Sequence, residues 1–197
     1  LKISLHDTVV NSKFPIGVLS DVHGNIKNVK LVIDQHPEIT QWFCLGDIVD
    51  DKDRFGGNQE TVDWWKTCNI ITVLGNHDMY YAAKKSTDSN TLLWFKQIPR
   101  SLKVQIGNDI DFLCYHSLPN DPITFIEPYY TEREFIDDYP IDDKTLAVLI
   151  GHNHKQFKSV FHGCSTELWS VGSIGISGSY AIIDNNGIQF KKLVTGV

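Results

Sequence analysis

The sequence contains no run of about 18 apolar residues, so none of its helices is long and apolar enough to span a bilayer. None of its four cysteines, Cys44, Cys68, Cys114 and Cys164, forms a Cys-x-x-Cys pair. Each lies in or beside an apolar stretch, which favours reduced, buried thiols in a cytoplasmic protein over a disulfide or thiolate metal site. Also missing are an internal repeat, a low-complexity tract, a linker and a Gly-x-x-x-x-Gly-Lys-Ser/Thr phosphate cradle. The first ten residues carry His6 and Asp7, unlike a secretory signal. Basic charge is scarce: 18 Lys and Arg against 24 Asp and Glu leave a net charge of -6. That balance argues against sequence-blind grip on a nucleic-acid backbone or an anionic membrane. What the chain does have is core material. Its 197 residues are 42% hydrophobic and 11% aromatic, which predicts one domain over residues 1–197 with a sizeable core.

Along the first half, short apolar runs alternate with helical spacing. Phe14–Ser20, Gln41–Gly46 and Ile70–Gly75 read as buried strands. Helices are expected over Asn25–Gln35, Glu60–Lys66 with Asn58 as a cap, and about Asp88–Gln97 before Pro99. This alternation predicts βαβ units and a parallel sheet. The second half differs. Leu102–Ile106 and Ile110–Tyr115 flank a Gly-Asn-Asp turn and read as a hairpin. Strands are then expected over Leu146–Gly151, Phe157–Phe161, Glu167–Ser170, Tyr180–Asp184 and Ile188–Leu193, the last two around Asn185-Asn186-Gly187. Residues 118–140 form a long excursion with weak periodicity, of a kind that is often functional. The simplest assembly is two sheets packed face to face with helices outside.

The informative residues follow the strands. Phe14–Ser20 runs into Asp21-Val22-His23-Gly24-Asn25, and Gln41–Leu45 into Gly46-Asp47-Ile48-Val49-Asp50. Ile70–Leu74 runs into Gly75-Asn76-His77-Asp78, Ile110–Tyr115 ends at His116, and Leu146–Ile150 runs into Gly151-His152-Asn153-His154. In open α/β sheets, ligands bind beyond the carboxyl ends of strands. Mixed carboxylate oxygen and imidazole nitrogen suit Mn, Fe, Zn or Ni, whereas an all-oxygen set would favour Mg or Ca. Each element alone has an ordinary explanation: a strand-end histidine in the core, a Gly-Asp turn, a helix start. Their joint occurrence after five strands sets those explanations aside. His6, His36 and His162 fall outside the pattern and are expected to be structural or surface residues.

This series, Asp21-x-His23-Gly24-Asn25, Gly46-Asp47-x-x-Asp50, Gly75-Asn76-His77-Asp78, His116 and Gly151-His152-x-His154, resembles the calcineurin-like metallophosphoesterases over about residues 14–184. The likeness is greatest to their small single-domain bacterial and archaeal phosphodiesterase/phosphatase branch. The resemblance implies an α/β fold, a four-layer αββα sandwich of two mixed β-sheets flanked by helices. It also implies two divalent metal ions, manganese foremost, with iron, nickel, zinc or magnesium as alternatives. Carried over by position, one ion takes Asp21, His23 and His154, the other takes Asn76, His116 and His152, and Asp47 bridges them. His77 resembles the non-ligand histidine that touches the phosphate, and Asp78 its orienting partner. Val171-Gly172-Ser173 matches a glycine-serine segment of the branch. Three features depart from the pattern: Ser117 after His116, Asp51-Lys52-Asp53-Arg54 after the second motif, and the length of the excursion.

The implied reaction is metal-dependent hydrolysis of a small phosphate ester. Two cations would lower the pKa of a bridging water enough to supply hydroxide near neutral pH. His77 would serve as general acid, oriented by Asp78. Substrate contacts are expected from Asn76, His77 and Arg54, and base stacking from Phe125, Tyr129, Tyr130 and Arg133. Trp64-Trp65 reads as helix-to-sheet core. The alternatives are a dinucleoside polyphosphate hydrolase or Ser/Thr protein phosphatase on the same fold, and a non-catalytic module like a retromer subunit. A scaffold need not keep all seven presumptive ligands together with His77. The expected partner is a small phosphate ester such as a nucleotide, with no membrane and no extended nucleic acid. The expected assembly is a monomer or small homo-oligomer.

Overall fold

The computed structural model describes residues 8–84, 87–127 and 138–194. In chain order the elements are β1 (Thr8–Ser12), β2 (Ile16–Leu19), α1 (Ile26–Gln35), β3 (Gln41–Cys44), α2 (Asn58–Trp65), β4 (Ile70–Thr72), α3 (Asn76–Ala82) and α4 (Ser89–Phe95). There follow β5 (Ser101–Ile106), β6 (Ile110–Tyr115), β7 (Thr145–Ile150), β8 (Gln156–Val160), β9 (Glu167–Val171), α5 (Ile174–Ser177), β10 (Ser179–Asp184) and β11 (Gly187–Lys192). Two sheets result, in the orders β11-β10-β2-β3-β4 and β1-β5-β6-β7-β9-β8. Both are mixed. In the first, β2, β3 and β4 run parallel, while β10 and β11 add antiparallel pairs. In the second, β6, β7 and β9 run parallel between the antiparallel β5 and β8.

Period-two alternation builds the layers. Ile16 and Val18 of β2, Phe43 of β3, Phe112 and Cys114 of β6, Ala147 and Leu149 of β7, and Ala181 and Ile183 of β10 share one cluster between the sheets. Their neighbours point outward. Trp42, Cys44, Tyr180 and Ile182 meet Val29 and Val32 of α1, Val62 and Trp65 of α2, and Phe95 of α4. The spacing of Ile26, Val29 and Val32 puts one face of α1 on the sheet. Trp65 is core as expected, buried with its Nε1 donating to Thr72 Oγ1 at 2.8 Å, while Trp64 is partly buried and packs against the same cluster. On the far face of the second sheet, Leu113, Tyr115, Val148 and Ile150 are covered by Ile126, Tyr139 and Phe161. The described part of the excursion is thus a packing layer as well as a loop.

Several expectations need correction. The strands after residues 41 and 70 end two or more residues early, because the chain leaves the sheet to build the turns beyond it. Asn58 is the first helical residue of α2, not its cap: Gly57 caps, and the Asn58 amide bridges Asp50, accepting its N–H and donating to its carbonyl. Elements β1, α3 and α5 add to those expected from the sequence pattern. Edge strand β1 is half polar and exposed, and its pairing with β5 spans most of the first half of the chain. All four cysteines are free. Cys44 and Cys114 are buried, but Cys164 is exposed in the turn between β8 and β9. Tyr129, Tyr130, Arg133 and His6 lie outside the described residues. Among the described residues no helix is long and apolar enough to cross a membrane.

Gly17 of β2 lies opposite Trp42 of β3, and a Cβ on it would sit 2.1 Å from the indole ring. Gly17→Ala is therefore expected to lower the unfolding free energy by about 1–3 kcal/mol, as overpacked cores do. Chemical denaturation reads this, and an unchanged midpoint would show that the indole can swing aside.

Candidate metal centre

Backbone pairing continues past the strand ends and lines the loops up. Asp21 N–H donates to Gly46 O at 3.0 Å, His23 N–H to Asp47 O at 2.9 Å and Gly24 N–H to Ile48 O at 2.9 Å. Gly75 then packs against this ribbon so tightly that a Cβ would lie 2.2 Å from Asp47 Oδ1. The turns are strained. Asp21, His23, Asp47, His152 and His154 all have positive φ, between 50° and 62°. Among the described residues the other non-glycine residue in that region is Asp53. Such backbone costs on the order of 1–3 kcal/mol per residue and persists where the surroundings over-determine it, commonly at functional sites.

These turns bring the predicted ligands together. Asp21, His23 and His154 form one group, and Asp47, His116 and His152 another, with the donor atoms of each group within 4.8 Å. Asp47 also groups with His23 and His77, so it stands between the two sets. His23 Nε2 and His154 Nε2 face each other at 3.0 Å, with Asp21 Oδ1 3.3 Å from the latter. Asn76 Oδ1 lies 2.9 Å from His116 Nε2, and Asp47 Oδ2 3.3 Å from it. Asp21, His23, Asp47, Asn76, His116 and His152 are buried, whereas the side chains of His154 and His77 are 32% and 22% exposed.

This donor set fits metal ions. Donors about 2.1 Å from one ion and at right angles are about 3.0 Å apart, which is the spacing seen here. Asp47 Oδ2 is buried without a hydrogen-bond partner, an arrangement proteins avoid unless another group completes it. Two of the imidazoles are held from behind by backbone carbonyls, His116 Nδ1 by Leu45 O at 2.7 Å and His152 Nε2 by Ile123 O at 2.8 Å. Such a hydrogen bond sets the tautomer and leaves the other ring nitrogen for a metal.

The electrostatics of the metal-free site follow from crowding. Burial works against the Asp47 charge, but His116 prevails and holds the carboxyl at about 2. Burial likewise opposes a charged His116, yet Asp47 raises it to about 9. Burial lowers His23, and burial with the nearby His116 lowers His152. His154 is raised: burial is outweighed by its hydrogen bond to Asp21.

Two predicted roles are corrected. The Asp78 carboxylate does not orient His77. It accepts the backbone N–H groups of Asp47 at 2.9 Å, Gly75 at 3.0 Å and Val49 at 3.2 Å, and so stitches the Asp47 turn to the start of α3. Burial and the Asp47 charge push this carboxyl up to about 7 against those donors. His77 and Asp78 are consecutive on a helix, so their side chains diverge. His77 Nδ1 instead lies 2.7 Å from Asp51 Oδ1 and 3.5 Å from Asp50 Oδ1. Asp51 is the residue that sequence reasoning missed, and the signal was its place in the departure after the second motif. Arg54 is no free arm. Its Nε donates to Asp50 Oδ2 at 2.6 Å, and its guanidinium is half exposed. Burial opposes the Asp50 charge, but Arg54 and the N–H groups of Lys52 and Arg54 hold that carboxyl well below the ordinary range. Ser173 of the glycine-serine segment donates to Asp21 O at 2.7 Å and caps α5. Outside the centre, His36 bridges Glu38 and Tyr180, and His162 is exposed.

The family model for calcineurin-like phosphoesterases matches residues 14–174. The chain belongs to that family, one of metal-dependent hydrolases of phosphate esters. Protein MJ0912 of Methanocaldococcus jannaschii is 25% identical over 162 residues, which cover 74% of this chain. The chain spans 64% of that relative's length. Among solved structures, a metallophosphoesterase from Sphaerobacter thermophilus superposes with a TM-score of 0.69 at 18% identity, covering 94% of this chain and 90% of that one. Protein PH1004 of Pyrococcus horikoshii gives 0.67 at 14% identity, covering 92% and 88%. These likenesses bear on the fold, which has the two mixed sheets and flanking helices expected of the family.

The pH dependence of the metal-free chain has a definite sign. His116, raised from 6.5 to about 9, contributes stability that is full below pH 6.5 and is lost as pH rises through 9. Asp78, raised from 3.8 to about 7, acts in the same direction over its own range. With a chelator present, the unfolding free energy from urea titrations should therefore fall between pH 6.5 and 9. Manganese binding at pH 7 should release a proton from His116, seen as a buffer-dependent calorimetric enthalpy. A flat stability profile with no proton release would contradict the Asp47–His116 pairing.

Proposed function

We propose that the chain hydrolyses small phosphate esters at a dinuclear centre. Asp21, His23 and His154 would hold one cation and Asn76, His116 and His152 the other, with Asp47 between them. Manganese is the ion proposed first, and iron, nickel and zinc are alternatives that mixed oxygen and imidazole donors suit equally. The observation that carries this reading is the pair of adjoining His/Asp groups with Asp47 near both. Bound there, two divalent cations would supply a nucleophile from water near neutral pH and neutralise charge on the phosphoryl oxygens.

The rest is work for the protein's own side chains. Asp47 Oδ1 accepts the His77 N–H at 2.8 Å, which fixes the start of α3 against the centre. The His77 ring stands edge-on to His23, with centroids 4.9 Å apart, and is partly open to solvent. His77 Nδ1 accepts the Asp51 backbone N–H at 3.3 Å beside the Asp51 carboxylate, which leaves Nε2 to hydrogen-bond a phosphoryl oxygen or deliver a proton to the leaving oxygen. Asp51 is the nearer carboxylate, because Arg54 engages Asp50. No serine or cysteine nucleophile is required, so the reading includes no covalent phosphoenzyme.

A panel of phosphate monoesters, diesters and dinucleoside polyphosphates, assayed with Mn, Ni, Mg and Zn beside metal analysis, tests this reading. Asp47→Asn should lose most bound metal and most activity. Retention of two ions per chain would sink the bridging role. His77→Ala should keep its metal and lose about 10²–10⁴-fold in kcat on esters with poor leaving groups. Asp51→Ala should follow it to a lesser degree, with KM largely kept. Equal turnover of good and poor leaving groups by His77→Ala would exclude the proton-donor role.

A further inference from the structure

The segment before residue 128 is fastened to the centre. His152 Nε2 meets Ile123 O, Asn153 Oδ1 accepts the Ile126 N–H at 3.2 Å, and Asn153 Nδ2 donates to Ile126 O. Ser117 Oγ also donates to Thr124 O. These bonds seat the Phe125 ring on His152, with centroids 4.4 Å apart and planes tilted by 37°. Yet Phe125 remains 58% exposed. It lines a cavity of about 400 Å³ together with Glu127, Asn153, Lys155, Gln156 and Phe157. The Gln156 amide donates to Tyr180 O at 2.9 Å and Lys191 O at 3.1 Å, so this wall is rigid as well. Such a volume is of the size that holds small-molecule ligands.

We propose that this cavity is a nucleoside subsite, in which a base stacks on Phe125 while its ester phosphate lies at the metal centre. The inference rests on the phosphoesterase reading and names its substrate class. Base–aromatic stacking needs an exposed ring held stiffly, which the His152 contact and the Asn153 bonds provide. A base also carries a polar edge, and Glu127 and Lys155 offer an acceptor and a donor at the wall. A lipid chain would be poorly served by those charges, and a bare sugar phosphate would gain little from Phe125. The acidic chain, at net -6, favours a mononucleotide over a polynucleotide.

Calorimetric binding of the four nucleoside 5′-monophosphates and of ribose 5-phosphate to the chelated full chain tests the site without turnover. At least one nucleotide should bind about 10-fold or more tightly than ribose 5-phosphate, the scale of one stacked base. Phe125→Ala should abolish most of that preference, and Phe125→Trp should keep it. Equal affinities in the wild-type chain, or a preference untouched by Phe125→Ala, would overturn the subsite. The p-nitrophenyl ester of thymidine 5′-monophosphate and bis-p-nitrophenyl phosphate, assayed with manganese, separate the two proposals. Nucleotide preference in binding without hydrolysis of either ester keeps the nucleoside site and overturns the phosphoesterase reading. Hydrolysis without nucleotide preference does the reverse.

Discussion

The constraint on which the structure turns is the burial of two carboxylates, Asp21 and Asp47, among imidazoles at the ends of two sheets. Charge taken out of water is costly unless something pairs with it. In the metal-free chain, the proton that Asp47 holds on His116 supplies part of that pairing. Asp47 Oδ2 and His23 Nδ1 remain without hydrogen bonds. Such a cluster survives because it cannot relax. The Asp78 carboxylate ties down the Asp47 turn, Leu45 O holds His116, and the backbone ribbon from Asp21 to Gly24 is paired with the ribbon from Gly46 to Ile48. The strained φ angles at five of these residues are offset by the apolar layer between the sheets, which anchors each strand just before its turn.

This division explains what a sequence reader can and cannot see. Strands such as β6 and β7 announce themselves because they are buried on both faces and read as apolar runs. The proposed ligands are legible because each stands within a few residues of such a run. The partner of His77 is not legible, since proximity in sequence misleads there. Residue i+1 on a helix points about 100° away, so Asp78 turns inward to the backbone while His77 turns outward. The real neighbour, Asp51, comes from a loop whose path depends on contacts that spacing cannot encode. These are Arg54 on Asp50 and the Asn58 amide on the Asp50 backbone. Edge strand β1 escapes for a similar reason, because its partner β5 is distant in sequence and its own residues are half polar.

Net charge alone would steer phosphate away from this chain. The local picture differs, since two divalent cations would offset four of the six excess negative charges and would do so at the centre itself. An acidic protein can therefore take a small phosphate ester at one point while offering little to a long polyanion elsewhere.

Access to that point is uneven. Of the grouped histidines, His77 and His154 reach solvent, while His23, His116 and His152 are sealed beneath. On the proposed reading a substrate would approach over these two rings, and each is flanked by residues outside the proposed ligand set. Beside His77 runs the loop with Asp51 and Arg54, and beside His152 and His154 runs the segment with Phe125. The ligand turns are pinned by strain and by one another, so they have little freedom to vary. Within the flanking loops, Asp51 and Phe125 lay side chains on the His77 and His152 rings, while the Ile123 carbonyl holds His152 from behind. On the proposed reading, substrate choice would belong to side chains such as Asp51 and Phe125, in the stretches where this sequence departs most from the pattern of its family, and metal chemistry to the strand ends, where it does not.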